Sequence, residues 1–357
     1  MNLTIRLESS VLKNQQQSGV AKYTLLLEKS LEADKEITLH SDNTPPLPHR
    51  VYAKLQSYGL SVPYDTLKQS VDLTIFPNFA RWPTVKSKVV ATVVHDFTYI
   101  HYPELVDEAN LRHLRRVVPR AIHKSDFIIT VSESMKKEAI DLFGMKPNDI
   151  IVTPIPPDTA FLKSSQNEVI SKYGIPTEKY IYFIGNFEPR KNLTTLIEAY
   201  CSLPDSITNT LSLVIAGGKG WQYDTAAEKL NKAMKTHKNI VHIGYIDQID
   251  SPALYQNADI FVFPSLYEGF GMPILEAMAS KVPVVAADIP VLREAGGDAA
   301  VYADPARPGD FTDAILSILD SPEYAQSLIN RGARNLNRFS WNENVQKIKD
   351  KLQQNLR

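Results

Sequence analysis

The stretch FPSLYEGFGMPILEAMASKVPVVAADIPVLREAGGDAAVYADP, Phe263–Pro305, decides the fold. It opens on the end of an apolar β-type run and crosses a loop carrying Glu268-Gly269-Phe270-Gly271. It then continues into a segment with Pro273 where the first turn of a helix tolerates proline. Two more short β-type runs, VPVVAAD and AAVYAD, follow. Strand, loop, helix and strand in that order are the unit of a parallel sheet wrapped by helices. The loop also has a chemical reading. Main-chain N–H groups from Gly269 to Met272 would point out of an uncapped helix N-terminus, a ready anion site that the glycines let phosphate oxygens approach closely. Glu276, one turn inside, can accept hydrogen bonds from sugar hydroxyls, as acidic residues do for ribose in dinucleotide folds. Glu268 can reach the other end of a nucleotide sugar. A bare pair of glutamates eight positions apart equally suits a helix cap or two solvated carboxylates, so the surroundings have to choose.

Working outward, the same alternation recurs. The second part of the chain carries YIYFIGN, LSLVIAG, IVHIGY and IFVFPS, and the first part LTIRL, DLTIF, KVVATVVHD and DFIITVS. Helix-like segments such as 20–31 and 111–124 lie between the runs, so both halves read as doubly wound α/β domains. The proline-rich VTPIPPD, Val152–Asp158, sits between them as a semi-rigid connection. At 357 residues the chain exceeds what one core usually serves. A substrate held beyond the C-terminal ends of the strands, between two facing domains, is the expectation. The glutamines of NQQQSG, Asn14–Gly19, are expected in a polar loop.

The composition is 43% hydrophobic and 22% charged, with a formal charge of -1, so the total implies no strongly charged partner. The lone Cys201 cannot form an internal disulfide and reads as a buried, inert thiol. With no basic head followed by an apolar run, and no membrane-length apolar stretch, a cytoplasmic protein is expected.

A second constellation is FIGNFEPRKNLTTLIEAY, Phe183–Tyr200. A strand ends at Gly185, and Arg190-Lys191 precede a helix starting near Asn192. Adjacent cations at a strand's C-terminal end suit a diphosphate: arginine grips with a planar fork and lysine adds a point charge. A solvated basic pair is the plainer alternative. His95 closes the run KVVATVV and is followed by Asp96, a position that also suits a structural cap. Asp-x-Asp is absent from the sequence and no histidine pair has metal-ligand spacing, so a divalent ion is not required by the pattern. Neither the dinucleotide glycine fingerprint nor a phosphate-binding loop with its lysine is present, which argues against a nicotinamide dehydrogenase. The segment NLRHLRRVVPRAIHKSD sets Arg112, Arg115, Arg116, Arg120 and Lys124 against an apolar stripe. A basic amphipathic helix over 111–124 suits an anionic bilayer surface, or simply domain packing with its charges in water. Sparse aromatic interleaving argues against a nucleic-acid channel.

With YQNADIFVFPS between them, the two constellations resemble the retaining glycosyltransferases of family 4, whose fold is GT-B. SGVAKYTLLL resembles that family's first glycine loop, VVHDFTYIHYPEL its acceptor-side histidine segment, and FSWNENVQKIKDKL its closing helix. The resemblance implies two facing Rossmann-like domains with a donor cleft between them. Residues 1–157 would form the acceptor domain, 158–172 a linker and 173–340 the nucleotide-sugar domain, with helix 341–357 packing back towards the first. It further implies that Glu276 binds the nucleotide ribose, while Glu268 and the amides of Gly269, Phe270, Gly271 and Met272 meet the transferred sugar and the diphosphate. Arg190 and Lys191 would hold the diphosphate, approached from the opposite domain by the amides of Gly19 and Val20. His95 would line the sugar site. Where some members carry an arginine after the glycine matching Gly185, this chain has Asn186. The base would be read near Tyr245 and Ile246. The implied reaction is metal-independent hexosyl transfer, with GDP-mannose the donor of choice and UDP-glucose or dTDP-rhamnose the alternatives. The acceptor would be a glycan or lipid-linked glycan. A non-catalytic nucleotide-sugar binder, or a nucleotide-sugar hydrolase or epimerase, remains the rival reading of the same residues.

Overall fold

The computed structural model describes residues 2–14, 18–42, 51, 62–163, 168–218, 220 and 223–357. The expected polar loop at 15–17 lies outside them. The chain divides into two compact units, one of Met1–His101, Glu108–Ile155 and Ser340–Arg357, the other of Tyr102–Asp107 and Pro156–Phe339.

The first unit is built on β1 (Leu3–Glu8), β2 (Ile37–Asp42), β3 (Val71–Phe76), β4 (Ser87–Val94), β5 (Phe127–Thr130) and β6 (Ile150–Val152). The second uses β7 (Lys179–Ile184), β8 (Leu211–Ala216), β9 (Ile240–Gly244), β10 (Ile260–Phe263), β11 (Val284–Ala287) and β12 (Ala300–Ala303). Both sheets are wholly parallel, in the orders β2-β1-β3-β4-β5-β6 and β12-β11-β10-β7-β8-β9. Parallel strands covered on both faces are apolar throughout, which is why β8, β10 and β11 are buried at every position. Strand order reverses between β1 and β3 in one sheet and between β7 and β10 in the other. Connections leave in opposite directions at such a point, so the loops after those strands part and open a crevice. In the second unit these are the loops carrying Arg190-Lys191 and Glu268.

Ten of the twelve strands coincide with apolar runs read in the sequence. The exceptions are the edge strands β2 and β6. Most of β2 is only half-buried and β6 has three residues, so neither carries a long apolar signal.

The segment expected as a linker, 158–172, is part of the second unit where it is described; residues 164–167 lie outside the description. Thr159–Leu162 forms a 3-10 turn that buries Phe161 edge-on against Tyr255, with ring centroids 5.5 Å apart. Gln256 Nε2 donates to the carbonyls of Phe161 (3.3 Å) and Lys163 (2.6 Å). Packing of one aromatic ring, absent from a proline-counting argument, joins this segment to the second unit, and the boundary at Ile155 and Pro156 falls inside the proline-rich Val152–Asp158. The helix Trp341–Leu356 lies in the first unit, burying Val345, Ile348 and Leu352. Asn344 donates to the Pro154 carbonyl (2.6 Å), Lys347 to that of Val152 (3.0 Å), and the buried Lys349 ammonium bridges Asp34 and Glu36. Among the described residues, no helix is long and apolar enough to cross a membrane.

Candidate active site

The helix Met272–Ala279 begins on Gly271, whose φ of 111° is a left-handed conformation that L side chains rarely adopt. A Cβ there would also stand 2.8 Å from the Leu292 side chain. No side chain caps this N-terminus, so the first amides keep their hydrogen-bonding capacity and the positive end of the helix dipole is not offset by a cap. Phe270 points inward, edge-on to Phe339 at 5.7 Å, so what it can offer a ligand is its main chain.

Glu268, four positions before that helix, is joined to the loop after β7. Its Oε2 lies 2.8 Å from Arg190 Nη1 and its Oε1 2.7 Å from Lys191 Nζ. Arg190 also donates to the Tyr267 carbonyl (3.1 Å) and meets Glu188 Oε2 at 3.3 Å. Lys191 Nζ sits 4.9 Å over the Phe263 ring. Burial alone would raise the Glu268 pKa, but the charges of Arg190 and Lys191 outweigh it and hold the carboxyl at about 2. Lys191 moves down as well: burial disfavours its charge and Arg190 repels it, and Glu268 only partly compensates. With each oxygen engaged by a cation, Glu268 is a weak base and a poor nucleophile. It holds the cation pair in place.

The two loops are locked together by groups the sequence reading passed over. Asn192 has a φ of 55°, which asparagine tolerates better than most residues. Its Nδ2 donates to the carbonyls of Pro264 (3.1 Å) and Pro305 (2.8 Å), and its Oδ1 accepts from Thr195 Oγ1 (2.8 Å). The Leu266 amide donates to the Arg190 carbonyl (2.9 Å). An asparagine, a residue that tolerates positive φ, directly after a cation pair was the available signal. Glu276 Oε2 accepts from Tyr255 Oη (3.1 Å), and Tyr255 is fully buried among Tyr182, Phe261 and Phe161. A buried phenol thus sets the carboxylate expected to meet ribose.

Gly185 and Asn186 follow β7, with Asn186 exposed and the Gly185 carbonyl so close to Gly217 that a Cβ on the latter would lie 2.0 Å from it. Tyr245 is 58% exposed and its ring lies on Gly218, where a Cβ would come within 2.1 Å. The loop carrying Tyr245 and Ile246 is held from below. Tyr173 Oη donates to Asp250 (2.8 Å) and accepts from the Asp247 amide (3.3 Å), and Lys172 bridges both carboxylates. Cys201 is half-buried rather than buried; its thiol lies 3.7 Å from His237 Nδ1, and burial raises its pKa, which keeps it unreactive.

Gly19, Val20 and His95 belong to the first unit. Gly19 and Val20 open the helix Gly19–Ala33, whose N-cap Ser18 accepts from the Ala21 amide at 3.1 Å. His95 follows β4, with Tyr23 and Phe79 edge-on at 5.0 and 5.4 Å. Its Nε2 lies 2.7 Å from the Pro77 carbonyl, which can only accept, so Nε2 carries the hydrogen. Burial lowers its pKa, opposed by Pro77 and Asp96, and a neutral ring leaves Nδ1 as an acceptor.

Residues 165–335 match the family model described as glycosyl transferases group 1. That segment belongs to the family. O-antigen chain mannosyltransferase B of Escherichia coli is 32% identical over 253 residues, 70% of this chain and 66% of that protein. The serotype-specific mannosyltransferase WbdA of Escherichia coli is 25% identical over 298 residues, 80% of this chain and 33% of its own length. The chain therefore spans about two thirds of one such relative and a third of the other. Among solved structures, Anabaena Alr3699/HepE in complex with UDP-glucose matches with a TM-score of 0.69 at 16% identity, covering 98% of this chain and 99% of that one. Sucrose-phosphate synthase from Thermosynechococcus elongatus matches with 0.70 at 17%, covering 99% and 98%. The fold is GT-B, as the resemblance implied.

Proposed function

We propose that this glycosyltransferase moves mannose from GDP-mannose to a hydroxyl of a glycan or lipid-linked glycan, with retention of anomeric configuration and without a divalent ion. The observation that carries this reading is the Arg190-Lys191-Glu268 cluster ahead of the uncapped N-terminus at Met272. Negative charge grows on the leaving diphosphate in the transition state, and a positive environment already in place stabilises it most. Arg190, Lys191 and the amides at Gly269–Met272 are the groups to supply it. Mannose is favoured because the relatives described above are mannosyltransferases. Glu276, positioned by Tyr255, would take the ribose, and Tyr245 and Ile246 the base.

The helix Glu108–Lys124 turns Arg112, Arg115, Arg116, Arg120 and Lys124 to solvent, with Glu108 the sole carboxylate along it. That face suits peripheral contact with an anionic lipid surface, where a lipid-linked acceptor would be met.

The test is a calorimetric titration with GDP, UDP and dTDP in the presence of a chelator, repeated on Arg190→Ala. Selective GDP binding that the variant loses is the expected result. Selective UDP or dTDP binding would replace the donor, and no nucleotide binding by the folded protein would sink the donor site.

A further inference from the structure

We infer that Phe161, in the turn that follows the unit boundary, and Tyr255 are positioning residues for Glu276, and that through it they make the site select ribonucleotides over deoxyribonucleotides. The three residues form one chain of contacts inside the second unit. Tyr255 is fully buried and its Oη donates to Glu276 Oε2 at 3.1 Å. Its ring is met edge-on by Phe161 (5.5 Å) and Tyr182 (5.0 Å), with Phe261 tilted against it at 5.1 Å. Phe161, itself buried, sits in the turn Thr159–Leu162, which comes directly after Pro156-Pro157-Asp158 and lies against the helix Met272–Ala279 that carries Glu276. Asp158 closes the turn by accepting from the Ala160 amide (2.9 Å), and Gln256, next to Tyr255, donates to the Phe161 and Lys163 carbonyls.

Removing a buried phenol from its acceptor costs the full desolvation of the hydroxyl, so a Glu276 turned away from Tyr255 is disfavoured. Burial and the nearby Glu276 charge push the Tyr255 pKa well above its ordinary value, so the phenol stays a protonated donor. The ring cannot swing to follow the carboxylate, because three aromatic rings surround it. Glu276 is thereby held in one orientation before a ligand arrives. An ionised carboxylate offers only acceptors, so it selects for hydroxyls and against phosphate oxygens. A ribose brings two neighbouring hydroxyls that can donate to it, and a deoxyribose has lost one of them. A deoxythymidine diphosphate sugar is disfavoured as donor on this ground. That Glu276 faces the ribose rests on the donor reading above; what is added is that two buried rings, one of them from the turn at the unit boundary, set the selectivity.

The experiment is calorimetric titration of the full chain with GDP, 2′-deoxy-GDP, 3′-deoxy-GDP and UDP, on wild type, Tyr255→Phe, Phe161→Ala and Phe161→Met. Wild type should bind GDP roughly ten- to a hundredfold more tightly than at least one of the deoxy forms, the range for a hydrogen bond to a charged group. Tyr255→Phe should narrow that ratio by about fivefold, as the carboxylate loses its fixed orientation. Phe161→Ala, which gives the Tyr255 ring room to tilt, should narrow it in the same direction, and Phe161→Met, closer to the original volume, should restore most of it. The preference for GDP over UDP should hold in every variant and reports an intact site. A purely structural role would lower stability, or the affinity for all nucleotides alike, and leave the ribose ratio where it was; that result overturns the inference. Equal binding of GDP and both deoxy forms by wild type overturns it too, while the donor reading stands. Narrowing in Tyr255→Phe with none in Phe161→Ala strikes Phe161 from the arrangement. If wild type selects UDP, the donor base changes and the same ratio is read with UDP and its deoxy forms. No nucleotide binding at all removes the donor site and this inference together.

Discussion

At the ends of β7 and β10, Arg190, Lys191, Glu188 and Glu268 satisfy one another; at the end of β4, His95 Nδ1, Asp96 Oδ2 and Tyr99 Oη are left over. The first cluster carries two cations and two carboxylates, so the proposed diphosphate would have to exchange partners with Glu268 and Glu188. Buried charges have to be paired because leaving them alone costs several kcal/mol, on the order of 3–5 for one broken pair. A single buried hydroxyl costs less, and a fold can carry it. The charged cluster is therefore closed on itself, whereas a single buried hydroxyl such as Tyr99 Oη can stay without a partner.

Variants break or sharpen this contrast. The largest effect is expected from Arg190→Ala, which would remove the proposed transition-state donor and leaves Glu268 with one cation: kcat/KM should fall by about 10²–10³-fold, read by product formation from a nucleotide sugar. Glu268→Gln comes next. Without its charge the two cations are released to the diphosphate, so turnover should fall while GDP binds at least as tightly as to wild type. GDP binding weakened in step with turnover would show that Glu268 positions the cations more than it competes for them.

Asn192→Ala tests the lock between the loops: it loses the amide's hydrogen bonds and strains a positive φ, and urea unfolding should show a loss of about 1–3 kcal/mol. Asn192→Gly keeps the backbone conformation and should lose less. Acid titration reads the charged cluster directly. The folded-state pKa of Glu268 lies below its ordinary value, so its contribution is present above about pH 4.5 and disappears as pH falls towards 2. Wild type should lose stability over that window more steeply than Glu268→Gln. Lowered by burial, His95 acts in the same sense at higher pH, favouring the folded state above its ordinary pKa and disfavouring it as the solution becomes more acidic. The smallest effect on the fold is expected from Arg115→Glu with Arg116→Glu on the exposed helix. GDP affinity should hold, while binding to anionic vesicles weakens by about 1 kcal/mol for each cation removed. Unchanged vesicle binding would remove the membrane from the proposed function.

Much of the architecture was legible in the residues. Ten parallel strands announce themselves as apolar runs because both faces of such a sheet are covered. The helix start at Met272 is marked by Gly271 and Pro273, and the helix start at Leu193 by its place after a strand, a loop and two cations. The two edge strands of the first sheet were not legible, because β2 is half in water and β6 is too short to form a pattern. The observed boundary at Pro156 lies inside the proline-rich Val152–Asp158, but that residues from 158 on join the second unit was not legible, because the burial of Phe161 against Tyr255 depends on residues 94 positions apart in the chain.

Local sequence, through periodicity, turn chemistry and motif spacing, determined the fold class and which loops carry charge. Only the tertiary structure decided who pairs with whom. It brought Glu268 onto Arg190 and Lys191, set Tyr255 behind Glu276, tied Asn192 to Pro264 and Pro305, and left Tyr99 Oη without a partner. Strand formation follows from residues within one segment, whereas hydrogen-bond partnership and burial are set by distances between segments that only packing brings together.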